Sequence, residues 1–477
     1  MDEKKEVLGY LPDEKPSIGK ALVFALQQFL VMLPATVLAV IVMNGFSDKN
    51  DVLYYANGIY SIPAAILASG VATISFLLVT KGKIPLYYGS SFSYIPAVAI
   101  VVSYASIRNY SPTTTLGVIL IASIISGLMS ILAGVLIKKY GKDKIDAILP
   151  GHITGMIAMI IGLSLAGNTM SGVLNVDDVG NTDWLSVLVA LITFTTVAVL
   201  TVILRKGFIS QIPILIGLGV GIVFSYAIWV PFSAGGYKVY FDQISASQPI
   251  RLLEVMPWNT IPAAFSGGWE LIGVAIIAVF PIAFATIPES AAHVNQIDLY
   301  VNELAAQRPE PKDYKIREKL DDNLIGDGIG DIIAVTLGGP AGTNYGENVS
   351  ASAVTKNFSS YVFFITGIFA IIVGILLDAL QLGDISLLLT KPVIQGVSLY
   401  LFGAIAVQGI ALMIDKKVDI FDPKVIAVMA FIGIVGLGVG SITVTETFVL
   451  PGIGVAAIGG IFLNLLLNGL GKFLKKK

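Results

Sequence analysis

Apolar runs long enough to cross a bilayer follow one another along almost the whole of this chain, and they constrain it more than any motif does. A helix needs about 20 mostly apolar residues to span the hydrocarbon core. Such runs occupy roughly residues 21–43, 57–79, 116–137, 153–170, 184–204, 208–231, 271–291, 361–380, 393–414, 425–441 and 452–470. Of the 477 residues 55% are hydrophobic and only 13% charged, about half the charged share of a soluble domain. Inside hydrocarbon every backbone N–H and C=O must find its partner within the protein. The runs therefore read as helices, and the chain as an all-α polytopic membrane protein.

Three further stretches are apolar enough to be embedded but look interrupted. These are 84–103 with Pro85, Gly89 and Pro96; 325–338 with Gly326, Gly328 and Gly330; and 345–358 with Gly346. Counting them gives fourteen segments. The excess of Lys and Arg in cytoplasmic loops tests the count. With the N-terminus inside, 25 of the 30 Lys and Arg fall inside; Lys49, Arg108, Lys238 and Arg251 fall outside, and Lys391 lies near a span. Dropping one broken segment would put the later clusters on the wrong side. The expectation is a multi-pass protein of the cytoplasmic (inner) membrane with both termini cytoplasmic. The charged N-terminus lacks a small-residue cleavage site, so no cleaved signal peptide is expected. Loop 232–268, with Tyr237, Tyr240, Phe241 and Trp258, should hug the outer interface, and loop 294–324 should be cytoplasmic and solvated.

The segments also repeat. Tyr88-Gly89-Ser90-Ser91-Phe92-Ser93 resembles Tyr345-Gly346-Glu347-Asn348-Val349-Ser350. In the same order, Pro150, Gly155 and Gly162 resemble Pro392, Gly396 and Gly403. Seven segments per half is odd, so the halves enter the membrane with opposite orientation. Inverted repeats with a pair of interrupted helices point to a site near the bilayer midplane. The expected fold is thus fourteen transmembrane segments in two inverted seven-segment repeats. Short antiparallel strands are expected in the broken segments 3 and 10, from 88–93 and 343–349, presenting amides to a ligand.

An ionisable residue at membrane depth is a functional-site candidate. Glu289 and His293 are four residues apart, on one face of a helix, with Pro288 suggesting a local break. The bland alternative makes Glu289 the cytoplasmic end of its helix and His293 a surface residue. Glu347 sits in the polar stretch Thr343–Lys356, whose bland alternative is a connecting loop. Asp327 and Asp331 read as caps or a helix–helix contact, Lys391 and Asp384 as lying near the outer end of a span, and His152 as near a cytoplasmic end. Absent cysteines remove disulfides and thiol chemistry. With only two histidines, a multi-histidine metal centre is not expected, and a net charge of −2 suggests no nucleic-acid partner. Glu289 and His293 alone supply no nucleophile–base pair, so the chain is not read as an enzyme. A channel would not require such carboxylates.

At these residues the sequence resembles the nucleobase–ascorbate transporter family, and within it the bacterial uracil permease branch. The resemblance rests on Tyr345-Gly346-Glu347-Asn348 with Thr355-Lys356, on Glu289 and His293, on Gly89-Ser90-Ser91-Phe92 and on Leu26-Gln27-Gln28. Ser350 stands where the family signature has glycine, and a glutamate rather than glutamine precedes Asn348, as in uracil-type members. The resemblance implies a core domain of residues 1–145 and 265–358 and a gate domain of residues 146–264 and 359–477. It implies substrate binding by Phe92, Glu289, Tyr345, Gly346 and Glu347, with the amides of Phe92 and Gly346 and the carboxyls of Glu289 and Glu347 as ligands. It further implies proton coupling through Glu289 and His293, no cofactor beyond the proton, and a possible homodimer. The alternatives are a purine (xanthine or urate) permease of the same fold and an anion transporter of the same architecture. The latter should carry a cationic group at the broken helices.

The chemistry of the ligand sharpens the proton hypothesis. Uracil is planar and alternates N–H with C=O, whereas a carboxylate only accepts and a protonated carboxyl both donates and accepts. An N–H/C=O edge is best matched by the protonated form, so the proton and ligand are expected to bind Glu289 together, with His293 as relay. Glu347 would then recognise a polar edge of the base.

Overall fold

The computed structural model describes residues 9–45, 58–141, 150–175, 180–204, 209, 212–246, 250–381, 389–445 and 448–474. Among them, ten helices are long and apolar enough to cross a bilayer, and Phe92–Ile107 and Pro423–Gly438 are shorter apolar helices. The chain is a mostly helical, multi-pass membrane protein. Asp384 and the expected 145/146 boundary lie outside the described residues.

The first half begins with α1 (Ile18–Asn44) and α2 (Ile62–Val79). A three-residue strand β1 (Tyr88–Ser90) follows, then a 3₁₀ turn (Phe92–Tyr94) that runs into α3 (Ile95–Ile107), and then α4 (Pro112–Tyr140). Next come α5 (Gly151–Ser164), α6 (Ala166–Leu174), α7 (Trp184–Ile203) and α8 (Pro213–Phe224), the last continued by a π turn. Two short helices, α9 (Tyr237–Ala246) and α10 (Pro257–Gly267), occupy the expected interfacial loop. Tyr237, Phe241 and Trp258 there are exposed, but Tyr240 is buried. It stacks edge-on against Tyr226 and Trp229 and so belongs to the interior.

The second half holds α11 (Trp269–Val279), α12 (Ala283–Ala306), α13 (Leu320–Thr336), β2 (Gly342–Asn344), α14 (Gly346–Thr355) and α15 (Ser360–Ala379). It ends with α16 (Lys391–Asp415), α17 (Pro423–Gly438), the hairpin β3 (Ser441–Thr445) and β4 (Phe448–Pro451), and α18 (Gly452–Leu474). The expected loop at 294–324 begins late, because α12 continues to Ala306. Pro288 lies within α12; the interruption falls earlier, at the 3₁₀ turn Phe280–Ile282 that contains Pro281.

The expected break in 325–338 is absent: α13 is one continuous helix. Its glycines serve close packing instead. A Cβ on Gly328 would collide with the carbonyl oxygen of Gly127 in α4, and one on Gly127 would come within 2.8 Å of the Gly328 carbonyl. The two backbones touch, which small residues permit. α15 packs in the same way along α1 and α2, while α5, α7 and α8 gather around α16, with α17 and α18 against α5.

The strands β1 and β2 pair antiparallel, with Tyr88 opposite Asn344, Gly89 opposite Thr343 and Ser90 opposite Gly342. This revises the Tyr-Gly match between the halves. Tyr88 is inside its strand, whereas Tyr345 follows its strand and caps a helix. With Gly89 facing Thr343 at the centre, the residues in equivalent places are Phe92 and Gly346.

Candidate functional site

Each strand of the β1/β2 pair ends in the middle of the bundle and hands over to a helix. Beyond the ladder, the Ser91 N–H reaches the Ala341 carbonyl at 3.2 Å and the Tyr345 N–H reaches the Tyr87 carbonyl at 2.9 Å. The residues that open the helical turns, Phe92 and Gly346, carry first-turn N–H groups with no intrahelical acceptor. Such helix starts favour electron-rich groups on a ligand.

These two starts border a cavity of about 490 Å³, within the range typical of small-molecule sites. Glu289, His293, Tyr345, Gly346, Glu347 and Phe92 all line it, so the residues implied by resemblance meet in one place. Glu289 and His293 come from the middle of α12, and His293 is buried rather than at a surface. Glu347 sits in the first turn of α14, not in a loop. Among the described residues, neither glutamate has an ion-pair partner or a hydrogen bond to another side chain. Among the described residues, the cavity lining contains no Lys or Arg.

His293 packs against the chain reversal of the second strand. Its ring lies beside the Asn344 backbone, and among the described residues its Nδ1 has no partner. A Cβ on Gly346 would lie 2.9 Å from His293 Nε2, so glycine is what lets α14 start this close. Tyr345 spends its hydroxyl on the scaffold: it donates to the Ser90 carbonyl at 2.9 Å and lies 3.0 Å from Thr36 Oγ1. Its ring covers Gly89, where a Cβ would collide. Tyr345 lines the cavity with its hydroxyl already engaged.

A buried polar network holds this arrangement. Ser290 donates to Asp327, while Asn323 and Asn344 donate to Ser290 at 2.6 and 3.0 Å. Tyr88 donates to Asp331, which also accepts the Gly342 N–H at 2.8 Å. Both aspartates therefore tie α13 to the strands and to α12, and act as contacts between elements. On the other side, Asn348 donates to the backbone and side-chain oxygens of Gln28 at 2.9 and 2.7 Å, and Gln28 donates to Ser352 at 2.9 Å. The Gln28 and Asn348 of the motif fix α14 to α1. Ser350 sits within the regular helix α14 and lines the cavity. Lys391 opens α16 and donates to Asn175 at 2.8 Å.

Several lining residues carry no local signal. Gln296 is the exception, lying seven residues beyond Glu289 on the same face of α12. Thr201, Tyr400 and Gln408 come from α7 and α16 and reach the cavity only through tertiary packing.

A family model described as "Permease family" matches residues 19–447. A uracil permease of Bacillus caldolyticus is 30% identical over 460 residues, covering 96% of this chain and 94% of that one. A uracil permease of Escherichia coli (strain K12) is 29% identical over 459 residues, covering 95% and 92%. Among solved structures, the transmembrane domain of the cyanobacterial bicarbonate transporter BicA superposes with a TM-score of 0.56 at 14% identity, covering 94% of this chain and 98% of that one. The murine anion transporter Slc26a9, in its inward-facing state, gives 0.57 at 12% identity, covering 98% and 71%. At those identities the likeness concerns the fold alone. With nine-tenths of its length matched by the family model, the chain belongs to the xanthine/uracil permease family of nucleobase–ascorbate transporters and is a transporter, not an enzyme.

Proposed function

We propose that this protein is a proton-coupled symporter that imports uracil across the cytoplasmic membrane. The observation that carries the reading is the convergence of two unpaired carboxyls, Glu289 and Glu347, with the first-turn amides of Phe92 and Gly346 on one cavity. The amides suit the carbonyl oxygens of a pyrimidine, and the carboxyls suit its N–H groups. One of the carboxyls must be protonated to meet an N–H/C=O edge without leaving a lone pair unmatched. Glu289 is assigned that proton. His293, one turn away with a free Nδ1, is the group that accepts or returns it. The proton is the only cofactor required.

The transport step follows from where the cavity lies. Val31, Phe92, Glu289 and Glu347 come from a group formed by α1–α4 and α11–α15, whereas Thr201, Pro213, Tyr400 and Gln408 come from α5–α8 and α16–α18. A site shared by two helix groups is exposed alternately when one moves against the other. The first group is assigned as the core and the second as the gate, in an elevator-like cycle. Counting α15 with the core, because it packs along α1 and α2, moves the boundary expected at 359 to the stretch after Ala379. In this reading β1 with α3, and β2 with α14, complete fourteen segments in two inverted repeats, both termini are cytoplasmic, and two copies pair as a homodimer.

The names of the sequence relatives support uracil; the fold neighbours are anion transporters. Two carboxyls on the cavity, with no Lys or Arg among the described lining residues, favour an N–H-bearing base over an anion as substrate. Uptake of radiolabelled uracil into proteoliposomes, with and without an imposed inward proton gradient, tests the proposal. Gradient-driven, saturable accumulation is expected. Preference for xanthine in a competition panel would move the substrate to the purines, and insensitivity to the gradient would remove the proton.

A further inference from the structure

We propose a second binding site, remote from the nucleobase cavity: a cationic groove that takes the phosphate headgroup of an anionic phospholipid. It lies where the segment before α1 folds back across the end of the bundle. Tyr10 pairs with Asn357 in an isolated parallel bridge, and the Phe358 N–H reaches the Tyr10 carbonyl at 2.8 Å. Arg308 donates to the Gly9 carbonyl at 2.8 Å and to Glu14 at 2.7 Å. The segment so fastened forms one wall of a cavity of about 700 Å³. The other walls are the end of α2 with the turn through Lys83, residues from the approach to α13, and the start of α15.

The lining carries five lysines (Lys15, Lys81, Lys83, Lys312 and Lys319) against two aspartates, Asp13 and Asp313. Among the described residues, one of the five is neutralised by an ion pair: Lys312 donates to Asp13 at 2.6 Å. Lys15 lies over the ring of Tyr361, 5.6 Å from its centre. Among the described residues, Lys15, Lys81, Lys83 and Lys319 have no carboxylate within ion-pairing distance. The turn that presents Lys81 and Lys83 is rigid. Lys81 is in the left-handed region, the Gly82 N–H closes on the Leu77 carbonyl at 2.7 Å, and Ser360 donates to the Gly82 carbonyl at 2.6 Å.

The apolar rim selects a lipid over a soluble anion. Leu78 is 68% exposed and Phe364 is 37% exposed, both lining the groove. They belong to α2 and α15, helices long and apolar enough to span. Their side chains therefore meet acyl chains where the lysines meet headgroups. Basic pockets between membrane helices bind anionic headgroups by this combination.

The test uses the full-length protein and three probes: dioleoylphosphatidylglycerol, dioleoylphosphatidylcholine and inorganic phosphate. Native mass spectrometry, with lipid titrations in detergent, should show the phosphatidylglycerol retained and the phosphatidylcholine not. Lys81→Gln, Lys83→Gln and Lys319→Gln together should weaken phosphatidylglycerol binding by about fivefold per lysine. Uracil affinity, which reports the distant cavity and an intact fold, should stay unchanged. The single exposed change Lys81→Gln provides the same readout with minimal disturbance of folding. Equal retention of the two lipids would overturn the proposal, as would unaltered binding by both variants. Inorganic phosphate displacing the lipid at equal concentration would assign the groove to a soluble anion instead.

Discussion

Glu289→Gln is the perturbation that separates binding from coupling. The carboxyl lines the cavity without an ion-pair partner or a side-chain hydrogen bond among the described residues, so its valences are available to ligand and proton. A glutamine amide presents one donor face and one acceptor face permanently. It therefore imitates the protonated acid and cannot lose the proton. In the wild type, deprotonation would leave the carboxylate facing a carbonyl oxygen of the base, at a cost of about 1–3 kcal/mol for an unmatched buried group. That equals a coupling of about 5–150-fold between proton and ligand. Linkage fixes the sign: the ligand-bound state holds the extra proton, so affinity falls as pH rises, by at most about tenfold per pH unit for one proton. Titrating uracil binding across pH should show this decline in the wild type and a flat profile in Glu289→Gln, whose affinity stays close to the acid limit of the wild type. In proteoliposomes the variant should exchange uracil but not accumulate it under a proton gradient. A variant that kept the wild-type pH slope, or still concentrated uracil, would refute the assignment of the proton to Glu289.

Three further outcomes follow from the scaffold. Tyr88→Phe removes a donor to Asp331 and an acceptor of the Gly342 N–H; a loss of about 1–3 kcal/mol is expected, read as a lower Tm with uptake reduced in parallel. Asn348→Ala cuts both bonds from α14 to Gln28 and should weaken uracil binding by about 5–150-fold while leaving its pH dependence intact, because Glu289 is untouched. Gly328→Val forces a side chain onto the Gly127 carbonyl and should destabilise the protein by about 1–3 kcal/mol. Adding Gly127→Ala should cost less than the sum of the two separate changes, since the helices part only once. A double-mutant cycle on thermal unfolding measures that shortfall.

Much of the site was legible because hydrocarbon makes polar residues conspicuous. Glu289 and His293 follow a long apolar run, Glu347 lies in a polar stretch set among apolar segments, and membrane depth leaves such residues few roles. The antiparallel pairing of the two breaks was legible for the same reason, but the strands are shorter than the expected 88–93 and 343–349: they stop at Ser90 and Asn344 because Phe92–Tyr94 and Gly346–Thr355 turn into helix. The continuity of α13 was not legible. Glycine at 326, 328 and 330 reads locally as weakness, and only the partner helix shows that its backbone uses the missing side chains. Pro288 misled in the opposite direction. A proline removes one N–H bond, and α12 absorbs that loss, so the chain breaks at Phe280–Ile282 instead. Thr201, Tyr400 and Gln408 were illegible because nothing near them in sequence distinguishes a cavity-facing residue from a lipid-facing one.

The revised register between the halves bears on mechanism. Matching Tyr88 with Tyr345 would make both tyrosines equivalent parts of a ligand pocket. The observed pairing instead gives them different structural work: Tyr88 anchors Asp331 from within a strand, and Tyr345 seals Gly89 and bonds Ser90 from a helix cap. What the two strands share is that each is followed by a helix start, at Phe92 and at Gly346, whose first-turn amides border the cavity. The halves then diverge one residue later, where Glu347 follows Gly346 but Ser93 follows Phe92. Among the described residues, two carboxyls reach the cavity, both from the second half, on α14 and α12, while the first half lines it with uncharged residues such as Ser91, Phe92, Ser93 and Thr201. The antiparallel strand pair thus sets two helix starts against one cavity, and under the proposed proton coupling the carboxyls that would carry the proton come from α12 and α14.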